Sequence, residues 1–248
     1  MINRSRNTIF RKLLSLLGLA GLCVILGAGC QSARMAMPSE LESQATTFQC
    51  RGRGGFTLAE RFEFGPYSVT DVRRSWTTRT SWGIAEFEQS RARQQYEYRM
   101  AGPRGVQWLG QAATGVKRND IRAAAWGGEL MVGLSFDLNF VVRLSRDKQA
   151  DTWTLILAQR TGSDVMKGSL TDGKTVYSIE GTRRLAGTSI ALMEASGYVI
   201  LKSGLPVAAV EVLNEGSVRF ADSLNESERD ILAAASAGIL LYMDISGK

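Results

Sequence analysis

The stretch Leu134-Ser135-Phe136-Asp137-Leu138-Asn139-Phe140-Val141-Val142-Arg143-Leu144 decides the fold class. Leu134, Phe136, Leu138, Phe140, Val142 and Leu144 fall on one side of an extended chain. Ser135, Asp137, Asn139, Val141 and Arg143 fall on the other. Successive side chains of a strand point to opposite faces, so this alternation buries one face and leaves the other in water. A helix would scatter the same apolar residues around its circumference.

The same period recurs on both sides of this stretch. From Phe48 onward, Phe56, Leu58, Phe62 and Phe64 alternate with Thr57, Ala59, Arg61 and Glu63. Tyr96, Tyr98 and Met100 alternate with Gln95, Glu97 and Arg99, and residues 101–105 turn the chain into Val106, Trp108 and Gly110. A polar loop from Ser145 to Asp151 leads to Trp153, Leu155 and Leu157. The Asp172-Gly173 pair suits a type I′ hairpin between Val165–Leu170 and Thr175–Ile179. Asn214-Glu215-Gly216 suits a second hairpin, between Val207–Leu213 and Ser217–Ala221. The stretches 115–128 and 183–195 show neither period.

At the C-terminal end the period changes. Asn225 followed by Glu228 has the spacing of a capping box. Ile231, Leu232, Ala235, Ile239 and Tyr242 then recur at helical spacing. The apolar run 231–243 is too short for a bilayer, which takes about 20 residues, so the helix should cover a sheet face or plug one end of a barrel. Ala233, Ala234 and Ala235 would allow close approach. The expected fold is mainly β: about ten to twelve antiparallel strands in a sandwich or partly open barrel, with one C-terminal helix over about 225–243.

The first thirty residues carry an address. Arg4, Arg6, Arg11 and Lys12 precede an apolar run from Leu13 to Gly29, and small residues come directly before a cysteine in Leu26-Gly27-Ala28-Gly29-Cys30. This three-part layout is that of an export signal, and its end resembles the lipobox of bacterial lipoproteins. The resemblance implies cleavage between Gly29 and Cys30 and a lipid on the Cys30 thiol, with three acyl chains in all, palmitate among them. Gln31 stands where an aspartate would signal retention in the inner membrane. The resemblance therefore implies anchoring in the outer membrane, facing the periplasm. The domains are then a signal peptide (1–29), a lipidated cysteine with a flexible tether (30–47) and a single β-rich domain (48–248).

Composition bounds the chemistry. The formal charge is +6, but four basic residues and no acid lie in the signal, so the remainder carries +2 and shows no bias toward nucleic acid. Of three cysteines, Cys23 leaves with the signal and Cys30 takes the lipid. Cys50 then remains a lone thiol, expected to be buried as a small apolar residue. The chain has no histidine, which removes the commonest general base and metal ligand.

The remaining motifs each have a plain reading that is favoured. Ser145-Arg146-Asp147-Lys148 has the S-x-x-K spacing of acyl-serine enzymes, but it lies between strands rather than at a helix start. Glu86 with Glu88, or Asp137 with Asn139, could place polar groups on one face as glycosidases need, yet such pairs usually form a solvated strand face. Arg51-Gly52-Arg53-Gly54-Gly55 reads as a flexible lead into the first strand rather than a nucleic-acid segment. Arg73-Arg74-Ser75-Trp76, with Arg79 and Trp82, reads as cross-strand packing, and Trp126-Gly127-Gly128 as a turn. No catalytic residue, metal ligand or cofactor site is assigned.

The expected function is a non-enzymatic structural or interaction component of the bacterial envelope, with the membrane and envelope proteins as partners. A second reading is a carrier of a lipid or other apolar ligand, with Trp76, Trp82, Trp108, Trp126 and Trp153 lining a pocket. A third is a glycan hydrolase working through carboxylates.

Overall fold

The computed structural model describes residues 32–53, 60–75, 94–114, 136–146, 152–160 and 165–242; of 75, 136–139 and 160 only the backbone is described. Twelve antiparallel strands form a closed barrel. They are β1 (Ala45–Arg51), β2 (Phe62–Phe64), β3 (Tyr67–Ser75), β4 (Gln94–Ala101), β5 (Gln107–Thr114), β6 (Phe136–Arg146), β7 (Thr152–Arg160), β8 (Lys167–Thr171), β9 (Val176–Thr182), β10 (Gly197–Lys202), β11 (Leu205–Glu211) and β12 (Ser217–Ala221). Each strand pairs with the next, and β1 closes the ring against β12, from Ala45 opposite Ala221 to Gln49 opposite Ser217. The expected sandwich or partly open barrel is corrected to a closed barrel. Period two says which residues face inward but not which strands meet, and closure depends on pairing the first strand with the last.

The alternation read from the sequence sorts the wall. Phe64, Tyr98, Phe140, Leu144, Leu157 and Phe220 are fully buried within it. Exposed Glu63, Arg73, Arg99, Arg143, Lys167 and Glu180 lie on the outside. The Leu134–Leu144 stretch forms most of β6, whose described strand starts at Phe136 and runs two residues further, to Arg146.

The C-terminal helix occupies the lumen. Helix α2 (Glu226–Leu241) follows α1 (Ser39–Ser43), a single short turn near the start. Every residue of α2 from Asp230 to Leu241 is buried. The helix touches β4, β5 and β6 on one side and β11 and β12 across the ring. A helix apolar on all sides has to be surrounded by protein. Eight strands leave an interior that side chains alone just fill, and twelve leave room for a helix. At 1.5 Å per residue, α2 spans about 24 Å. It was expected to cover a face or plug an end; instead it runs through the middle.

The expected tether is also shorter than read. Met35 and Leu41 are buried, and β1 starts at Ala45, so residues from Arg34 to Thr47 belong to the compact unit. A few apolar residues in a polar stretch leave no periodic signal, yet the α1 turn that carries Leu41 packs against β11 and β12. Met35 donates its backbone N–H to Glu211 Oε1 at 2.9 Å, and Arg219 Nη1 donates to the Leu41 carbonyl at 3.1 Å.

The turns follow their residues with one difference. Asn214 and Gly216 adopt positive φ between β11 and β12. Between β8 and β9 only Gly173 does so, hence the type I′ turn does not form. Asp172 Oδ1 instead accepts the N–H groups of Lys174 and Thr175, at 2.9 and 2.7 Å, in a four-residue loop. Ser203-Gly204, not singled out from the sequence, makes the tight turn with both φ positive.

Candidate functional site

The candidate site is the lumen and its two ends, because polar side chains converge there on the helix. At the N-terminal end of α2, Asn225 and Glu228 form the expected capping box: Glu228 N–H donates to Asn225 Oδ1 at 2.9 Å, and Asn225 N–H to Glu228 Oε2 at 3.2 Å. Glu228 Oε1 also accepts from the Tyr177 hydroxyl at 3.2 Å and from Lys202 Nζ. Burial pushes the Glu228 carboxyl up, but the Lys202 ammonium and the Asn225 and Tyr177 donors outweigh it and hold it below the usual value. The Tyr67 hydroxyl donates to Asp230 Oδ1 at 3.1 Å, and Arg104 bridges Glu226 at 2.6 Å. Burial raises the Asp230 carboxyl despite these partners.

Along the middle, β4 supplies two hydroxyls. Tyr96 donates to the Gly238 carbonyl at 2.6 Å and Tyr98 to the Ala234 carbonyl at 2.7 Å. Both oxygens lie on one line of the helix, four residues apart, matching the two-residue spacing of the donors along the strand. Burial pushes both phenols, and those of Tyr67 and Tyr177, well above the ordinary tyrosine value.

At the C-terminal end two guanidinium groups meet carbonyls that the helix leaves without partners. Arg53 Nε donates to Leu240 O at 2.8 Å and its Nη1 to Val212 O at 3.0 Å. Arg74 Nη2 donates to Leu241 O at 2.9 Å. Arg74 is also bidentate to Glu60, with both distances 2.7 Å, and its guanidinium carbon lies 5.1 Å from the Tyr96 ring centre. Cys50, on the same rim, is buried, and burial pushes its thiol up to about 12. A thiol raised in this way stays protonated at neutral pH.

The residues singled out from the sequence are not brought together into a reactive centre. Cys30, Gly29, Trp76, Arg79, Trp82, Glu86, Glu88 and Trp126 lie outside the described residues. Ser145 and Arg146 end β6, while Asp147 and Lys148 lie outside the described residues. Arg51 ends β1, so the segment does not lead into the first strand; Arg53 is hydrogen-bonded rather than loose, and Gly54 and Gly55 lie outside the described residues. Arg73 and Arg74 point to opposite faces, and Arg74 stacks on a tyrosine across the strand pair. Trp108 is buried in the wall, and Trp153 packs 6.0 Å from Tyr177.

Sequence reading missed the tyrosine contacts. The available signal was Tyr96 and Tyr98 on the buried face of one strand, since a buried phenol needs an acceptor within reach. Among the described residues no three His, Cys, Asp or Glu side chains are grouped as a metal site would need. The converging groups hold a helix: they bind its carbonyls, its cap and both its ends. Comparison with family models, with curated proteins and with solved structures finds no match.

Proposed function

We propose that this chain is an outer-membrane lipoprotein, anchored through Cys30 and facing the periplasm, that acts as a non-enzymatic interaction component of the envelope. The observation that carries the reading is the lumen. The space in which a barrel of this size would hold a ligand is taken by the chain's own helix, fastened at both ends and along one side. A filled lumen supports a protein that works through its outer surface and its rims. Charged residues on the outer face, such as Arg99, Arg143 and Lys167, suit water and not the apolar band of a membrane-spanning barrel.

The test is fractionation of cells carrying the full chain or Cys30→Ala. The unaltered protein is expected in the outer membrane with acyl mass on Cys30, and the variant as folded, released periplasmic protein. A variant that stays in the membrane pellet overturns the anchor. Native mass spectrometry of the released protein is expected to give the bare mass. An excess of a few hundred daltons, lost on denaturation, would replace this reading by the carrier one. Turnover of envelope glycans, lost in Glu86→Gln or Glu88→Gln, would replace it by the hydrolase one.

A further inference from the structure

We infer that the rim loop 183–194 is a membrane-docking surface, which lies on the phospholipid leaflet with Ile190 and Met193 in its interfacial layer. The inference rests on the lipid anchor proposed above and deepens it.

Three observations meet at this loop. The first is where the chain emerges. Arg34 and Ala36 are paired with the loop: Ala36 N–H donates to the Arg184 carbonyl at 3.0 Å, Ala186 N–H to the Arg34 carbonyl at 2.9 Å, and Met35 faces Leu185. Cys30 is four residues before Arg34. Fully extended, that length reaches at most about 14 Å, so acyl chains on Cys30 bring this rim to the bilayer surface and no other part of the barrel can be closer by more than that leash allows.

The second observation is exposed apolar surface on an ordered support. Ile190 is 66% and Met193 91% exposed. The loop beneath them is tied down: Leu192 N–H donates to the Arg183 carbonyl at 2.9 Å, Arg184 bridges Ala191, and the Ser196 hydroxyl donates to the carbonyls of Thr182 and Arg184 at 3.0 and 2.9 Å. Two large apolar side chains held outward on a fixed loop, and not folded onto the neighbouring wall, are what an interfacial anchor presents.

The third is charge. Exposed Arg184 pairs with Ala191, next to Ile190 in the chain, and exposed Arg34 is bonded to Ala186 of the same loop, with Glu194 the acid on it. Cations near the apolar residues suit phosphate headgroups. Among the described residues the other two exposed large apolar ones, Val176 and Leu205, start β9 and β11 at the opposite end of the barrel and serve as internal controls.

The test uses the full lipidated chain in vesicles of phosphatidylethanolamine and phosphatidylglycerol. An environment-sensitive dye is placed at Met193→Cys or Ile190→Cys, and for comparison at Val176→Cys; Cys50 is buried and Cys30 carries its lipid. Intact mass first establishes acylation. With acylation present, brominated lipid is expected to quench the dyes at 190 and 193 several-fold more than the dye at 176. Equal quenching at all three, or stronger quenching at 176, overturns the docking surface and leaves the anchor standing. A chain without acyl mass that does not float with vesicles overturns both.

Discussion

Tyr98 lies across Gly110, its partner on the neighbouring strand, and a Cβ at Gly110 would fall 2.1 Å from Tyr98 Cζ and 2.6 Å from its Oη. The absent side chain on β5 is the space through which Tyr98 crosses to reach the Ala234 carbonyl. Glycine normally weakens a strand; here an aromatic ring from the neighbouring strand covers it.

Gly110→Ala is accordingly expected to destabilise the barrel by about 1–3 kcal/mol, the usual cost of forcing extra atoms into a packed core. Urea unfolding monitored by tyrosine and tryptophan fluorescence measures it. Adding Tyr98→Leu should recover part of the loss, because the ring that collides is gone. A double variant no more stable than the sum of its parts would remove Tyr98 as the cause.

Gly238, on the helix, faces the same ring from the other side. A Cβ there would lie 2.9 Å from Tyr98 Oη and 3.2 Å from Val142 Cγ2. Alanine ordinarily stabilises a helix interior by about 1 kcal/mol over glycine. Gly238→Ala is expected to fall short of that gain or reverse its sign, read as a shift in the urea midpoint.

Stability should fall steeply in alkali. The phenols of Tyr67, Tyr96, Tyr98 and Tyr177 are all raised by burial above the ordinary value of 10.0, and Cys50 is raised from 9.0 to about 12. Each folded group holds its proton where the unfolded one has lost it. Its contribution is complete below the unfolded value and is lost as pH rises toward the folded one. The unfolding free energy is therefore expected to hold level to about pH 9 and to drop beyond pH 10. Tyr96→Phe should reduce the slope above pH 10 by one proton, while costing about 1 kcal/mol at neutral pH for the lost hydrogen bond to Gly238.

In acid the sign reverses at Glu228. Its carboxyl is held below the ordinary 4.5, so its contribution is complete above that value and is lost as pH falls through the folded one. Lys202→Met should shrink this acid dependence. Asn225→Ala, which removes the other half of the capping box, is expected to cost about 1 kcal/mol at neutral pH.

Arg53 and Arg74 should differ under substitution by what each leaves behind. Arg53→Met strands the carbonyls of Leu240 and Val212, at about 1–3 kcal/mol for buried unpaired acceptors. Arg74→Lys keeps the charge but loses the planar fork that holds Glu60 while also reaching Leu241. It should be less stable than the unaltered chain in thermal unfolding despite its conservative appearance.

Much of this molecule follows from local chemistry. Alternation in 134–144 reports a strand because side chains along an extended backbone take turns on two faces. Asn225 and Glu228 report a helix start because four N–H groups there need acceptors. Those signals act over a few residues and were legible at β4, β6, β12 and α2. The tertiary structure decided what depends on distant contacts: that β1 meets β12, that α2 is enclosed and not merely covering, that Met35 is tied to β11 and Leu41 to β12, and that Arg53 and Arg74 meet at one helix end. Each joins residues far apart in the chain, where neither member carries a local mark of its partner. The physical reason is that periodicity encodes which face is apolar, whereas closure and enclosure depend on the total space those faces must fill.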